Sequence, residues 1–230
     1  MASRLITATT GKWTALRNEL GTCPALLYLF QKLWKRLGGK LTAYRFAYQP
    51  IPDQRSVAPA VGVEFRWLTA FEPALMVEDR KEAIVRARFD RGDRCLAAFK
   101  NGEIAAFLWL ANTHYPEDDA RCDYRLEPTE LVWDYDVYVA PKYRVTRLFA
   151  QLWDEANAVL YREGARWSVS RISAFNSASL RSHQKRGARL TGSAFFIMLG
   201  RLQLVLASQR PRLHLSLTGR PEFRFELPKD

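Results

Sequence analysis

Two carboxylates, three cations and a proline-marked break fall within sixteen residues, DYDVYVAPKYRVTRLF at positions 134–149. These residue types at this spacing suit two kinds of chemistry. The segment alternates, placing Trp133, Tyr135, Val137 and Val139 on one face and Asp134, Asp136 and Tyr138 on the other. A carboxylate on that second face can deprotonate an ammonium, directly or through one water, if burial raises its pKa. Ion pairing with a neighbouring arginine is the equally weighted alternative. Beyond Pro141 a helical pattern begins, and a helix start just past a strand end gathers N–H donors at the positive end of the helix dipole. Such a start is a ready phosphate site, flanked here by Lys142, Arg144 and Arg147.

A second candidate lies in NSASLRSHQKRGA, residues 176–188, where His183 can donate or accept a proton near neutrality. Its alternative is an exposed polar residue on a short basic helix with Arg181, Lys185 and Arg186. Glu130, at the start of the alternating strand, is a further base candidate, His114 is a weaker one, and His214 lies apart from both segments. No pair of side chains has metal-ligand spacing, so no metal is expected.

The elements that must position these residues read as α/β alternation from residue 61. Val63 to Phe71 predicts a strand and Pro73 to Phe89 a helix. Arg94 to Lys100 and Glu103 to Leu110 predict a hairpin, because Asn101-Gly102 supplies the positive φ values of a tight turn. Residues 112–130 read as a long carboxylate-rich loop, solvated or attracting a cationic acceptor. Leu131 to Val139 is the motif strand. Val145, Leu148, Phe149, Leu152, Trp153, Ala156, Val159 and Leu160 then keep a helical stripe that Gly164 ends. Trp167 to Ser173 is a further strand, and Asn176 or Ser177 caps a short helix stopping at Gly187. Four β segments, beginning at Ser193, Leu202, Leu213 and Phe223, finish the chain.

Residues 1–60 read as a basic helical extension followed by a linker with Pro50, Pro52 and Pro59. Between Pro24 and Gly38, the residues Leu26, Leu27, Phe30, Leu33, Trp34 and Leu37 make an apolar stripe beside Lys32, Lys35 and Arg36. Such a helix packs on its own domain or lies in a membrane interface. The net charge of +11 is concentrated at the ends, since residues 1–60 hold nine Lys or Arg against two acids and residues 201–230 six against three. Basic flanks suit an anionic surface, although solubility alone accounts for them equally well. No nucleic-acid recognition motif accompanies them, so nucleic acid is not an expected partner. Three widely spaced cysteines without a CxxC motif point to a reducing compartment. With no signal peptide and no apolar run near 20 residues, the expectation is a cytoplasmic protein, in peripheral contact with the inner membrane surface if residues 24–37 dock there.

Two segments resemble the GNAT N-acyltransferase superfamily. VYVAPKYR at 137–144, followed by a helix, resembles the acyl-CoA motif V-x-P-x-Y-R. NSASLRSHQKRGA is similar to the second motif, roughly N-x-x-A-x-x-L-Y-E-K-x-G-F, with Asn176, Lys185 and Gly187 on matching positions and Ser179 replacing the small alanine. The resemblance covers about residues 61–200 and implies a mixed α+β sheet of the GNAT type behind an N-terminal helical extension. It implies transfer of an acyl group from acetyl-CoA or another acyl-CoA to an amine of a small molecule or sugar. Pantetheine would pair with Val137, Tyr138 and Val139. The pyrophosphate would meet the N–H groups of Arg144, Val145, Thr146, Arg147, Leu148 and Phe149, with Asn176 completing the cofactor contacts. His183 takes the place where many members carry a tyrosine near the sulfur, where a histidine can donate or accept a proton, with Asp134, Asp136 and Glu130 the candidate bases. The family's loop reads R/Q-x-x-G-x-G/A, whereas this chain has Arg147 and Phe149 at the small positions. That departure supports the alternative of a non-catalytic GNAT-like binding or scaffold domain. The oligomeric state stays open.

Overall fold

The computed structural model describes residues 31–228. The helix expected over 24–37 therefore lies outside the described residues up to position 30, while residues 31–36 are helical. The remaining elements follow in the order β1 (Gly39–Pro50), β2 (Glu64–Leu68), α1 (Glu82–Asp90), β3 (Arg94–Lys100), β4 (Glu103–Ala111), β5 (His114–Pro116), β6 (Asp123–Leu126), β7 (Leu131–Val139), α2 (Leu148–Arg162), β8 (Trp167–Ser173), α3 (Ser177–Lys185), β9 (Arg189–Leu199), β10 (Leu202–Ala207), β11 (Leu213–Ser216) and β12 (Glu222–Phe225). This is a mixed α/β fold, as the sequence pattern implies. The chain divides into two compact units. Among the described residues one comprises 48–115, 124–170 and 224–228; the other comprises 31–47, 116–123 and 171–223.

The first unit is built on strands ordered β2-β3-β4-β7-β8. The first four are antiparallel, and β8 joins β7 in parallel through Leu131–Trp133 against Trp167–Val169. Asn101 and Gly102 carry positive φ at the β3–β4 turn, as the sequence predicts. On one sheet face α2 buries Leu148, Leu152, Trp153, Ala156 and Leu160 against Leu96, Ala98, Leu108, Leu110 and Val132. Each such large side chain taken from water stabilises the fold by roughly 1.5–3 kcal/mol. The other face is aromatic: Tyr115, Tyr124 and Phe225 pack on Trp133, and Phe89 of α1 lies 4.8 Å from Trp109.

Three details differ from the sequence pattern. The helix expected over Pro73–Phe89 is a 3-10 turn, Pro73–Leu75, and then α1, because Glu78 and Asp79 both adopt left-handed φ and no right-handed helix runs through them. Val145 lies outside α2 and is 95% exposed, so the stripe starts at Leu148. The Pro-rich stretch is strapped onto α2: Ser56 and Val57 donate backbone N–H groups to Asp154 Oδ2 at 2.8 and 2.9 Å, and Ser56 Oγ donates to Oδ1 at 2.8 Å.

In the second unit β9, β10 and β11 form an antiparallel meander. Tyr44 and Phe46 of β1 pack on Phe196 and Phe223. The sequence pattern did not reveal β1, because both of its faces are largely buried and the alternation that marks a half-exposed strand is lost. The acidic loop supplies Glu117, whose side chain is fully buried and accepts two bonds from Arg171 at 2.6 and 2.8 Å. Asp119 and Asp123 pair with Lys40 and Arg220. These carboxylates are answered by the protein's own cations.

Candidate functional site

The motif strand β7 is interrupted at its centre. Its register with β4 pairs Trp109 with Tyr135 and Phe107 with Tyr138, so Asp136 and Val137 together face Leu108 alone. Asp136 absorbs the extra residue at φ +46, a left-handed conformation that aspartate tolerates better than most residues. This bulge shifts the side-chain phase by one. Trp133, Tyr135 and Tyr138 occupy the aromatic face, whereas Val137 and Val139 pack with the α2 core. The alternation read from the sequence, with Asp134 and Asp136 sharing a face, is therefore corrected.

The two aspartates sit in different surroundings. Asp134 is buried and accepts a 2.5 Å hydrogen bond from Ser168 Oγ, itself without exposure. Asp136 accepts bonds from Arg80 Nε at 3.3 Å and Nη2 at 2.7 Å, and from Arg88 Nη1. Burial is the largest single influence and would raise the Asp136 pKa. The Arg80 hydrogen bond and the Arg88 charge together outweigh it and hold the carboxyl below its usual range. The expectation of a base activated by a raised pKa thus fails at Asp136, and the ion-pair alternative describes it. Arg80 stacks 4.8 Å above Phe107, and Arg88 lies 5.0 Å from the Tyr135 ring. Neither arginine was singled out from the sequence, where α1 shows only its apolar positions.

From Val139 the chain passes through a 3-10 turn, Pro141–Tyr143, into a loop and then α2. Several of the expected phosphate donors are engaged internally. Arg144 N–H donates to the Pro141 carbonyl and Thr146 N–H to that of Tyr143, while Leu148 N–H donates to Thr146 Oγ1 at 3.2 Å. The Arg144 side chain turns back, with Nε on the Val139 carbonyl at 3.0 Å and Nη2 on Glu78 at 3.2 Å. Arg147, at the helix N-cap, has φ −81, so its backbone makes no demand for glycine, and its side chain is exposed. Phe149 packs against the core cluster.

A cleft of about 210 Å³ opens at this helix start. Lys100, Arg147, Thr146 and Gln151 give it polar and cationic walls, and Val61, Val63, Tyr143 and Leu148 give it apolar ones. Lys100 is a further residue that the sequence pattern did not mark. The β3–β4 turn carries it to within 5.5 Å of the Tyr143 ring, a contact across 43 positions. The strap holds this wall in place, with Gln151 Nε2 donating to the Ala58 carbonyl at 3.0 Å.

Asp134, Asp136 and residues 137–149 belong to the first unit, and Asn176 and His183 to the second. Asn176 caps α3, its Oδ1 accepting from Ser179 N–H at 2.9 Å. His183 is buried near the end of that helix, not exposed. Burial first, and the Arg186 charge second, push its pKa down to about 4, so it is neutral at physiological pH. Among the described residues no group of three or more His, Cys, Asp or Glu side chains is arranged to hold a metal ion. Burial also raises the pKa of Cys95, which removes its thiolate character.

Residues 63–188 match the Acetyltransferase (GNAT) family. Among solved structures, a Drosophila protein aligns with a TM-score of 0.50 at 17% identity, over 70% of this chain and 52% of its own. A tandem GNAT protein from the clavulanic acid biosynthesis pathway aligns with a TM-score of 0.49 at 16% identity, over 72% and 57%. A GCN5-related N-acetyltransferase from Sphaerobacter thermophilus gives a TM-score of 0.43 at 17% identity, over 76% and 55%. The chain thus spans between half and two-thirds of these structures' length. No protein of curated function matches the sequence.

Proposed function

The chain belongs to the GNAT acetyltransferase family, and we propose that it transfers an acetyl or longer acyl group from CoA to an amine of a small molecule or sugar. The observation that carries this reading is the bulge at Asp136, set in β7 just before the strand passes into α2. A bulge re-aims the strand beyond it, here Val137, Tyr138 and Val139, whose main chain would receive the pantetheine arm. The anionic end of the cofactor would meet the start of α2. There Arg147 and Lys100, on the cleft walls, stand in for the close backbone approach that glycines give. The Arg147 and Phe149 N–H groups would add the helix-terminal donors, with Val145 and Thr146 in the loop beside them.

In the reaction the neutral amine attacks the thioester carbonyl carbon. The new C–N bond forms as the C–S bond breaks, the amine gives up a proton, and the departing thiolate takes one. Positioning supplies most of the acceleration. In this reading Asp136 holds Arg80 and Arg88 around the bulge, Asp134 fixes Ser168 behind it, and His183 offers a neutral N–H, with Asn176 supporting its helix. The reading places the protein in the cytoplasm. The missing glycines favour the alternative of a non-catalytic GNAT-like binding or scaffold domain that has lost standard CoA binding.

The test is thermal stabilisation by acetyl-CoA and longer acyl-CoAs, followed by thiol release with a panel of amines. Stabilisation with thiol release is expected. Stabilisation without release from any acceptor would overturn the transfer step alone, and no stabilisation by any acyl-CoA would overturn the enzyme reading in favour of the scaffold alternative.

A further inference from the structure

The meander β9–β10–β11 has two unlike faces. Its cross-strand pairs put Phe195, Leu206 and Leu213 in one row, Ile197, Leu204 and Leu215 in the next, and Leu199 with Leu202 in a third. Paired residues point to the same side, so one face of the three strands is apolar at each of these eight positions. Of the intervening residues, Phe196, Gln203 and Val205 are fully buried on the opposite side. Leu213 and Leu215 are 65% and 63% exposed, and Leu199, Leu202 and Leu206 between 41% and 45%. An outward sheet face is ordinarily polar at alternate positions. A continuous apolar one marks a surface that meets something.

Its charge narrows the partner. Residues 189–219 contain four arginines and no Asp or Glu. Arg201 lies in the β9–β10 turn and Arg210 and Arg212 in the β10–β11 turn, so exposed cations stand at both ends of the apolar rows. A second copy of the chain would bring the same cations against them. Residues 1–30 carry three Lys or Arg against one Glu and would add positive charge as well. Nucleic acid would answer the arginines and leave the leucines in water.

We propose that this face docks on the anionic surface of a lipid bilayer, the leucines entering the acyl boundary and the arginines meeting headgroup phosphates. An anionic bilayer satisfies both features at once. Among the described residues no helix is long and apolar enough to cross a membrane.

The experiment is flotation of the full chain with vesicles of phosphatidylcholine alone and of phosphatidylcholine with phosphatidylglycerol. Binding is expected to the anionic vesicles and not to the neutral ones. Leu213→Ser with Leu215→Ser should abolish it, and Arg201, Arg210 and Arg212 changed together to Ala should weaken it by about 100-fold, roughly fivefold for each cation. Both variants should keep the wild-type melting temperature in the absence of lipid. Failure of the wild type to float, or unchanged flotation of either variant, overturns the proposal. So does a lipid-free loss of melting temperature in the leucine variant, which would mean that the chain covers this face itself. A dimer that the leucine variant dissociates would assign the face to a second copy, and salt-sensitive retention on DNA or RNA without flotation would assign it to nucleic acid.

Discussion

Arg88, buried on α1, donates to the carboxylate of Asp136 at the one left-handed position within β7. The pair joins a backbone irregularity to a charge: the residue that carries the bulge is also the anion that Arg80 and Arg88 share. Removing that anion leaves two guanidiniums of low exposure without it. Asp136→Asn is expected to destabilise the protein by about 3 kcal/mol. Asp136→Ala should lose about 1 kcal/mol more, because alanine resists the left-handed region. Asp136→Gly recovers the backbone part alone. Urea denaturation of the three variants separates the two contributions, and equal losses in all three would remove the backbone argument.

Arg147 and Lys100 contribute affinity through charge. In the proposed reading, Arg147→Ala weakens acetyl-CoA binding about tenfold at low ionic strength, and the double change with Lys100→Ala weakens it further. Calorimetric titration across a salt series checks this. The difference between wild type and variant should narrow as salt rises.

Asp154 acts on the cleft without touching it. Its carboxylate accepts three bonds from Ser56 and Val57 and so fixes the strap that brings Val61 and Val63 to the cleft wall. Asp154→Ala should cost about 2–4 kcal/mol, since the bonds lost are to a buried charged group. Acyl-CoA affinity should fall with it. Hydrogen exchange should rise first at the Ser56 and Val57 amides.

His183 sets an acid limit on stability. Its folded pKa of about 4 lies below the ordinary value of 6.5, so the unfolded chain binds its proton first as pH falls. The contribution is fully present above pH 6.5 and is lost between there and about pH 4, on the order of 1.4 kcal/mol per pH unit. His183→Gln should flatten the stability profile in that window. Asp136, also depressed, loses its contribution only at lower pH, below the usual carboxylate value of 3.8. Denaturant midpoints measured from pH 7 to pH 4 distinguish the two.

The sequence determined much of the architecture by itself. The Asn101-Gly102 turn, the β7–turn–α2 succession, the apolar stripe from Leu148 to Leu160, the Asn176 cap and the Gly164 stop all follow from local periodicity and turn chemistry, which act between near neighbours. The family resemblance rested on that same succession. It did not reveal β1, whose two buried faces carry no alternation.

Only the tertiary structure decided what the candidate site contains. One inserted residue at Asp136 moved Asp134 and Asp136 to different surroundings, and a bulge arises from pairing with β4, which no local pattern records. Arg80 and Arg88 reach Asp136 across 56 and 48 positions, and Lys100 reaches Tyr143 through a hairpin. The apolar face of β9, β10 and β11 was likewise visible only as separate leucines until strand register aligned them in rows. Charge pairing and cross-strand alignment are set by which segments meet in space, and that is fixed when the chain folds.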